Sequence, residues 1–162
     1  CPIDAIIEIV SGLDADLIVL TGDIIHEPCF LSDGLRFMDR LSSLSAPCDG
    51  FFAVLGNHDT GLTDGLVSEF GIKILKNAAV QLTHGQDRLN LVGVNQLPWQ
   101  NTDLCQAFAN YDPDTGTILL AHYPGTALFL RDKVDLVIAG HTHGGQIRLP
   151  ISYQYQRTSH LE

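Results

Sequence analysis

Basic residues are scarce in this chain. Nine Lys and Arg stand against 19 Asp and Glu in 162 residues, a formal net charge of −10 at pH 7. Non-specific nucleic-acid binding depends on basic patches that neutralise phosphates, so this balance argues against it. Most of the acidic excess is expected on a solvated surface, where charged side chains belong, with metal-binding carboxylates as a part of it. Cysteine is sparse too: Cys1, Cys29, Cys48 and Cys105 lie far apart and make no Cys-x-x-Cys pair. That spacing argues against a zinc–cysteine site and leaves buried free thiols as the default, with a disulfide and the redox compartment open. No apolar run reaches the roughly 20 residues that cross a bilayer, and no basic-then-apolar leader opens the chain. Repeats, linkers and low-complexity segments are absent as well. A hydrophobic content of 45% and a mean hydropathy of +0.13 suit a globular chain with an ample core. The length predicts a single domain over residues 1–162, with 151–162 as an irregular polar tail.

Apolar periodicity supplies the elements. Pro2 suits the first turn of a helix, and Ile3, Ile6, Ile7 and Val10 then recur at helical spacing until Gly12. A second helix is expected from a Ser32 cap, with Leu35, Met38, Leu41 and Leu44 on its apolar face. Shorter helices are expected over 63–70, from Thr63-Asp64, and up to Ala109, from Thr102 or Asp103. Strands are expected at 17–20, 51–55, 72–75, 80–82, 89–94, 117–121 and 136–139, with Gly85-Gln86-Asp87 and residues 112–116 as turns. Alternating helices and strands followed by a β-rich middle predict a layered α/β domain.

The most informative stretch is Gly140-His141-Thr142-His143-Gly144-Gly145-Gln146. It follows Leu136-Val137-Ile138-Ala139, which reads as a buried strand. Neutral imidazole is the commonest protein metal ligand, but one His-x-His pair is a weak signal. Three other apolar runs end the same way: at Gly22-Asp23, at Gly56-Asn57-His58-Asp59 and at His122. Ligands of open α/β sheets bind outside the carboxyl ends of strands, so four such ends can share one cluster.

These motifs, in this order, resemble the calcineurin-like metallophosphoesterases over roughly residues 15–149. The Gly-His-Thr-His-Gly-Gly-Gln ending looks most like a bacterial phosphodiesterase branch associated with the cell envelope. The resemblance implies an α-β-β-α sandwich and a hydrolase of phosphate esters, favouring a phosphodiesterase. It also implies two divalent cations, of manganese, iron or zinc. Asp23 would bridge them; Asn57, His122 and His141 would complete one site with Asp23; His143 would join the other. His58 would be the imidazole beside the leaving group, and Asp59 would orient it or keep it protonated. The family's first motif, Asp-x-His, has no match after Cys1. It is expected upstream, so that the chain reads as truncated at both ends. Localisation is left between the cytoplasm and the membrane periphery.

Bland alternatives stand beside each assignment. A lone His or Asp at a strand end is usually a turn residue. His26 is expected as a non-ligand, with a supporting or substrate contact as the alternative. His84 is expected exposed in a turn, and His160 lies in the tail. Asn95 and Trp99 are expected to cover the core rather than line the cleft, whereas Tyr123 and Pro124 shape the loop after His122. Gly144 and Gly145 are expected to permit close backbone approach. The competing functional readings are a non-catalytic fragment holding at most one metal and a phosphate-binding scaffold.

Overall fold

The computed structural model describes residues 2–44, 49–95, 102–130 and 132–145. Cys1, Cys48, Trp99, Gln146 and the 151–162 tail with His160 lie outside the described residues.

Helix α1 (Pro2–Ser11) leads into strand β1 (Leu17–Leu20). A 3-10 turn over Pro28–Phe30 then feeds helix α2 (Leu31–Ser42). Ser32 is therefore inside the helix instead of capping it. The turn begun by Pro28 already supplies the nucleus that a side-chain cap would otherwise stabilise. Strand β2 (Gly50–Ala53), helix α3 (Asp64–Ser68) and strand β3 (Ile72–Ile74) follow. Thr63 caps α3 by accepting the Leu66 N–H at 3.2 Å.

The second half is a hairpin followed by crossovers. Strands β4 (Ala78–His84) and β5 (Asp87–Gly93) pair antiparallel around a two-residue turn. His84 is thus the exposed last residue of β4, not part of the turn. Helix α4 (Leu104–Ala107) is capped by Asp103, which accepts the Gln106 N–H at 2.9 Å, and it stops short of Ala109. Strands β6 (Thr117–Ala121) and β7 (Leu136–Ala139) complete the described chain's sheets. Cys29 and Cys105 are free thiols, but exposed rather than buried, on the Pro28–Phe30 turn and on α4.

The strands form two sheets, one ordered β1-β2-β3 and all parallel, the other β4-β5-β6-β7 with only its hairpin antiparallel. Period-two alternation sends successive side chains to opposite faces. Phe51, Ala53 and Leu55 pack with Ile7, Met38, Leu41 and Val67 on the helical side of the first sheet. Phe52, Val54 and Leu75 face the other way and meet Leu91 and Leu120 of the second sheet. Val92, Leu119 and Ala121 point outward from that sheet against Ala107, Phe108 and Leu130. The result is the expected α-β-β-α layering. Gly93 lets the two sheets close up, because a Cβ there would run into the Leu75 side chain. Strand β7 differs from the sequence reading. Among the described residues it pairs only with β6, and Leu136 is 51% exposed.

Candidate metal centre

Register brings the motifs together. Leu20 lies beside Ala53 in one sheet, and Ala121 beside Ala139 in the other. Each pair of parallel strands therefore ends at the same edge, and the following residues emerge side by side. The Gly140 N–H donates to the His122 carbonyl at 3.1 Å, so His122 and the Gly140-His141 turn leave their sheet locked together.

His122 is the hub. Its side chain is buried, and its Nδ1 lies 2.8 Å from the Thr21 carbonyl oxygen. A carbonyl only accepts, so Nδ1 carries the hydrogen, and Nε2 is the nitrogen left to face the other side chains, as a lone pair whenever the ring is neutral. That nitrogen lies 3.1 Å from Asn57 Oδ1, 3.1 Å from His141 Nδ1 and 3.2 Å from Asp23 Oδ2. Carboxylate, amide oxygen and a second imidazole thus converge on one nitrogen. A proton at Nε2 would serve one partner well; a cation would serve the whole set. Asp23, His122 and His141 each offer a ligand atom within 4.8 Å of the others, and the mixed N/O donor set suits a divalent transition metal.

The glycines before these residues explain how the loops come this close. A Cβ on Gly22 would lie 2.5 Å from the Gly56 nitrogen and 2.8 Å from His122 Nδ1. One on Gly56 would meet the Asp23 carboxylate and lie 2.7 Å from the Asp23 nitrogen. Backbone touches backbone here, and no side chain fits between. Asp23, His141 and His143 also adopt left-handed φ values of 56°, 67° and 48°. Such residues cost of order 1–3 kcal/mol each and persist where surrounding structure over-determines them.

Asp59 is what over-determines Asp23. It is fully buried, and its Oδ2 accepts the N–H groups of Asp23 at 2.7 Å and Gly56 at 2.9 Å, while Oδ1 accepts that of Ile25 at 3.0 Å. The hydrogen bonds of Asp59 thus run to the backbone of the loops after β1 and β2, where the sequence reading had expected it to orient the His58 ring or keep it protonated. Burial pushes its carboxyl above the usual range, against the opposing pull of those three amides. The tie is reciprocal, because the His58 N–H donates to Asp23 Oδ1 at 2.9 Å. The half-buried His58 ring lies instead against exposed His26, with centroids 4.8 Å apart and planes at 33°.

Tyr123 packs edge-on against His122 and His141, at centroid distances of 5.1 and 4.5 Å. Burial, then the nearby Asp23 charge, raises its phenol above the usual range. Pro124 opens the following 3-10 helix, Pro124–Phe129. His143 is exposed and outside the cluster, on a turn where Gly144 and Gly145 also have positive φ. Asn95 is buried; its N–H donates to Asn77 Oδ1 at 2.9 Å and its carbonyl accepts from Thr102 at 2.8 Å, so it ties those two residues together.

Comparison with known proteins identifies the class to which this fold and cluster belong. The sequence pattern of the calcineurin-like phosphoesterases matches residues 2–145, and the chain belongs to that family. Among individual relatives, it is 32% identical to the UDP-2,3-diacylglucosamine pyrophosphatase LpxG of Chlamydia muridarum, over 87% of this chain and 57% of that protein. It is 34% identical to the phosphodiesterase YaeI of Escherichia coli, over 84% of this chain and 52% of that protein. The chain thus spans about half the length of these curated relatives. Among solved structures, the NAD nucleotidase of Haemophilus influenzae superposes with a TM-score of 0.51 at 13% identity, over 78% of this chain and 33% of that one, a likeness of fold. The family implies divalent-metal use and hydrolysis of phosphate esters. No helix among the described residues is long and apolar enough to cross a membrane.

Proposed function

We propose that the protein hydrolyses phosphodiester or pyrophosphate-type linkages by means of two divalent cations. The observation that carries this reading is the convergence of Asp23, Asn57 and His141 on Nε2 of His122. The names of the relatives, a phosphodiesterase and a pyrophosphatase, favour a bridged phosphate over a monoester. When bound, the cations would supply a nucleophile at neutral pH and absorb charge on the transferring group. Asp23, Asn57, His122 and His141 hold one ion in this reading. Asp23 keeps lone pairs for a second, toward which His143 contributes. His58, half-buried at the rim beside the cluster, gives a proton to the departing oxygen or stabilises its charge.

A second reading has its own support. The donors gathered in the structure make one site, and His143 stands outside it. The chain would then hold a single cation. Elemental analysis after loading with manganese, zinc or iron, together with turnover of bis-p-nitrophenyl phosphate, separates the two. Two ions and turnover are expected; one ion or none without turnover refutes the dinuclear esterase. His58→Ala should depress turnover and keep the metal content. Loss of metal would make His58 a ligand and overturn its assignment.

A further inference from the structure

With Asp59 committed to backbone amides, the orientation of His58 needs another source. We propose that His26 is the positioning residue for His58, acting through the face of its ring. This rests on the hydrolase reading above.

Three observations carry it. The two rings are 4.8 Å apart and tilted at 33°, within the centroid distance of interacting aromatic pairs. Among the described residues, the hydrogen bonds of His58 are made by its backbone, the N–H to Asp23 and the carbonyl from the Thr60 N–H, which fixes the chain and leaves the side-chain torsions free. His26 is itself braced from behind by Phe30, at 6.4 Å and 46°, at the end of the Pro28–Phe30 turn. A short relay of rings therefore runs from α2's entrance to the rim of the metal cluster. Phe30 limits His26, and His26 limits the arc available to His58. His26 does not join the gathered ligand set, and its ring is exposed, so its substitution leaves the core and the cluster intact.

This role depends on the ring and not on its nitrogens, which makes it separable from ligation and substrate contact. In the metal-loaded protein, His26→Ala should lower kcat on bis-p-nitrophenyl phosphate by about 10- to 100-fold, the scale of a misplaced catalytic group. KM and metal content should stay within about twofold, on the same argument. His26→Phe should restore most of kcat by restoring the stacked face. If His26→Phe is as impaired as His26→Ala, a ring nitrogen is needed and the proposal fails. A raised KM with unchanged kcat would make His26 a substrate contact and also overturn it. The pairing has a readout independent of turnover. In proton–carbon NMR spectra the ring C–H signals of His58 should be shifted upfield by the His26 ring current, and His26→Ala should abolish that shift. No shift in the parent refutes the pairing. A shift without turnover counts against the hydrolase reading and leaves the pairing standing.

Discussion

Replacing Asp59 by Ala strips the acceptor from three backbone amides at once: Asp23 at 2.7 Å, Gly56 at 2.9 Å and Ile25 at 3.0 Å. An orphaned buried donor costs about 1–3 kcal/mol. The Gly56 and Ile25 bonds are buried and that of Asp23 partly so, which sets a floor near 2 and a ceiling near 9 kcal/mol on the same scale. Removing the carboxylate also relieves its own burial penalty, and breaking a buried charge arrangement typically nets about 3–5 kcal/mol. At about 2–4 °C per kcal/mol for a chain of this size, the melting temperature should fall by roughly 6–20 °C. Asp59→Asn keeps one oxygen. Placed at Oδ2, it retains the Asp23 and Gly56 bonds and turns an amide donor on the Ile25 N–H, for about 1–3 kcal/mol. Urea unfolding followed by circular dichroism measures both variants. Metal content should fall in Asp59→Ala, because the left-handed Asp23 loses its restraint. If Asp59→Ala instead unfolds within about 1 kcal/mol of the parent, less than one orphaned buried amide should cost, and only turnover is lost, the carboxylate serves His58 and the reasoning is wrong.

His122→Ala removes the hub, so metal affinity by isothermal titration should drop more than about 100-fold, beyond the loss typical of a ligand's supporting partner. Gly22→Ala places a Cβ 2.5 Å from the Gly56 nitrogen at a φ of +90°; it should destabilise by about 2 kcal/mol or more and abolish metal binding. Gly65→Ala, with nothing within 4 Å of its Cβ, should stabilise α3 by roughly 0.5 kcal/mol in the same unfolding assay. Arg40 donates to Asp4 at 2.7 Å and holds its carboxyl below the usual value of 3.8. That contact contributes stability above pH 3.8 that is lost as pH falls through the lowered value. The stability difference between Arg40→Gln and the parent should therefore vanish in acid unfolding below that point.

The strands and their ends were legible because each apolar run is short, and the four runs that lead into the site give way within two residues to a Gly or His. The gathering of Asp23, Asn57, His122 and His141 followed from those ends alone once the strands ran parallel. Less legible was anything decided by hydrogen bonds at a distance. Asp59 sits beside His58 in sequence, and adjacency suggested partnership. A backbone turn instead aims it at amides 34 and 36 residues away. Asn90 looked like one more strand residue, yet its amide donates to the Asp112 carbonyl at 2.7 Å and ties down the turn before β6. His26 carried only its spacing from Asp23. Its contact with His58 depends on the path of the loop from β1 to α2, which no periodicity encodes. The exposure of β7 was likewise hidden, because an apolar run of four residues reads alike at an edge and at a centre.

The cluster has a consequence for the lifetime of the fold. Asp23 and Asn57 follow strands of one sheet, His122 and His141 strands of the other. A cation shared among them would act as a removable cross-link between the two halves of the protein, joining segments about as far apart in the chain as Thr21 and His122, which are separated by 101 residues. A permanent link closing a loop near 100 residues would be worth about 4.7 kcal/mol in chain entropy. A reversible one depends on supply, contributing about 2.7 kcal/mol at a free-metal concentration 100 times its dissociation constant and nothing under chelation. Metal starvation would then open the seam between the sheets, and the protein's turnover by proteases would track the same ion as its chemistry.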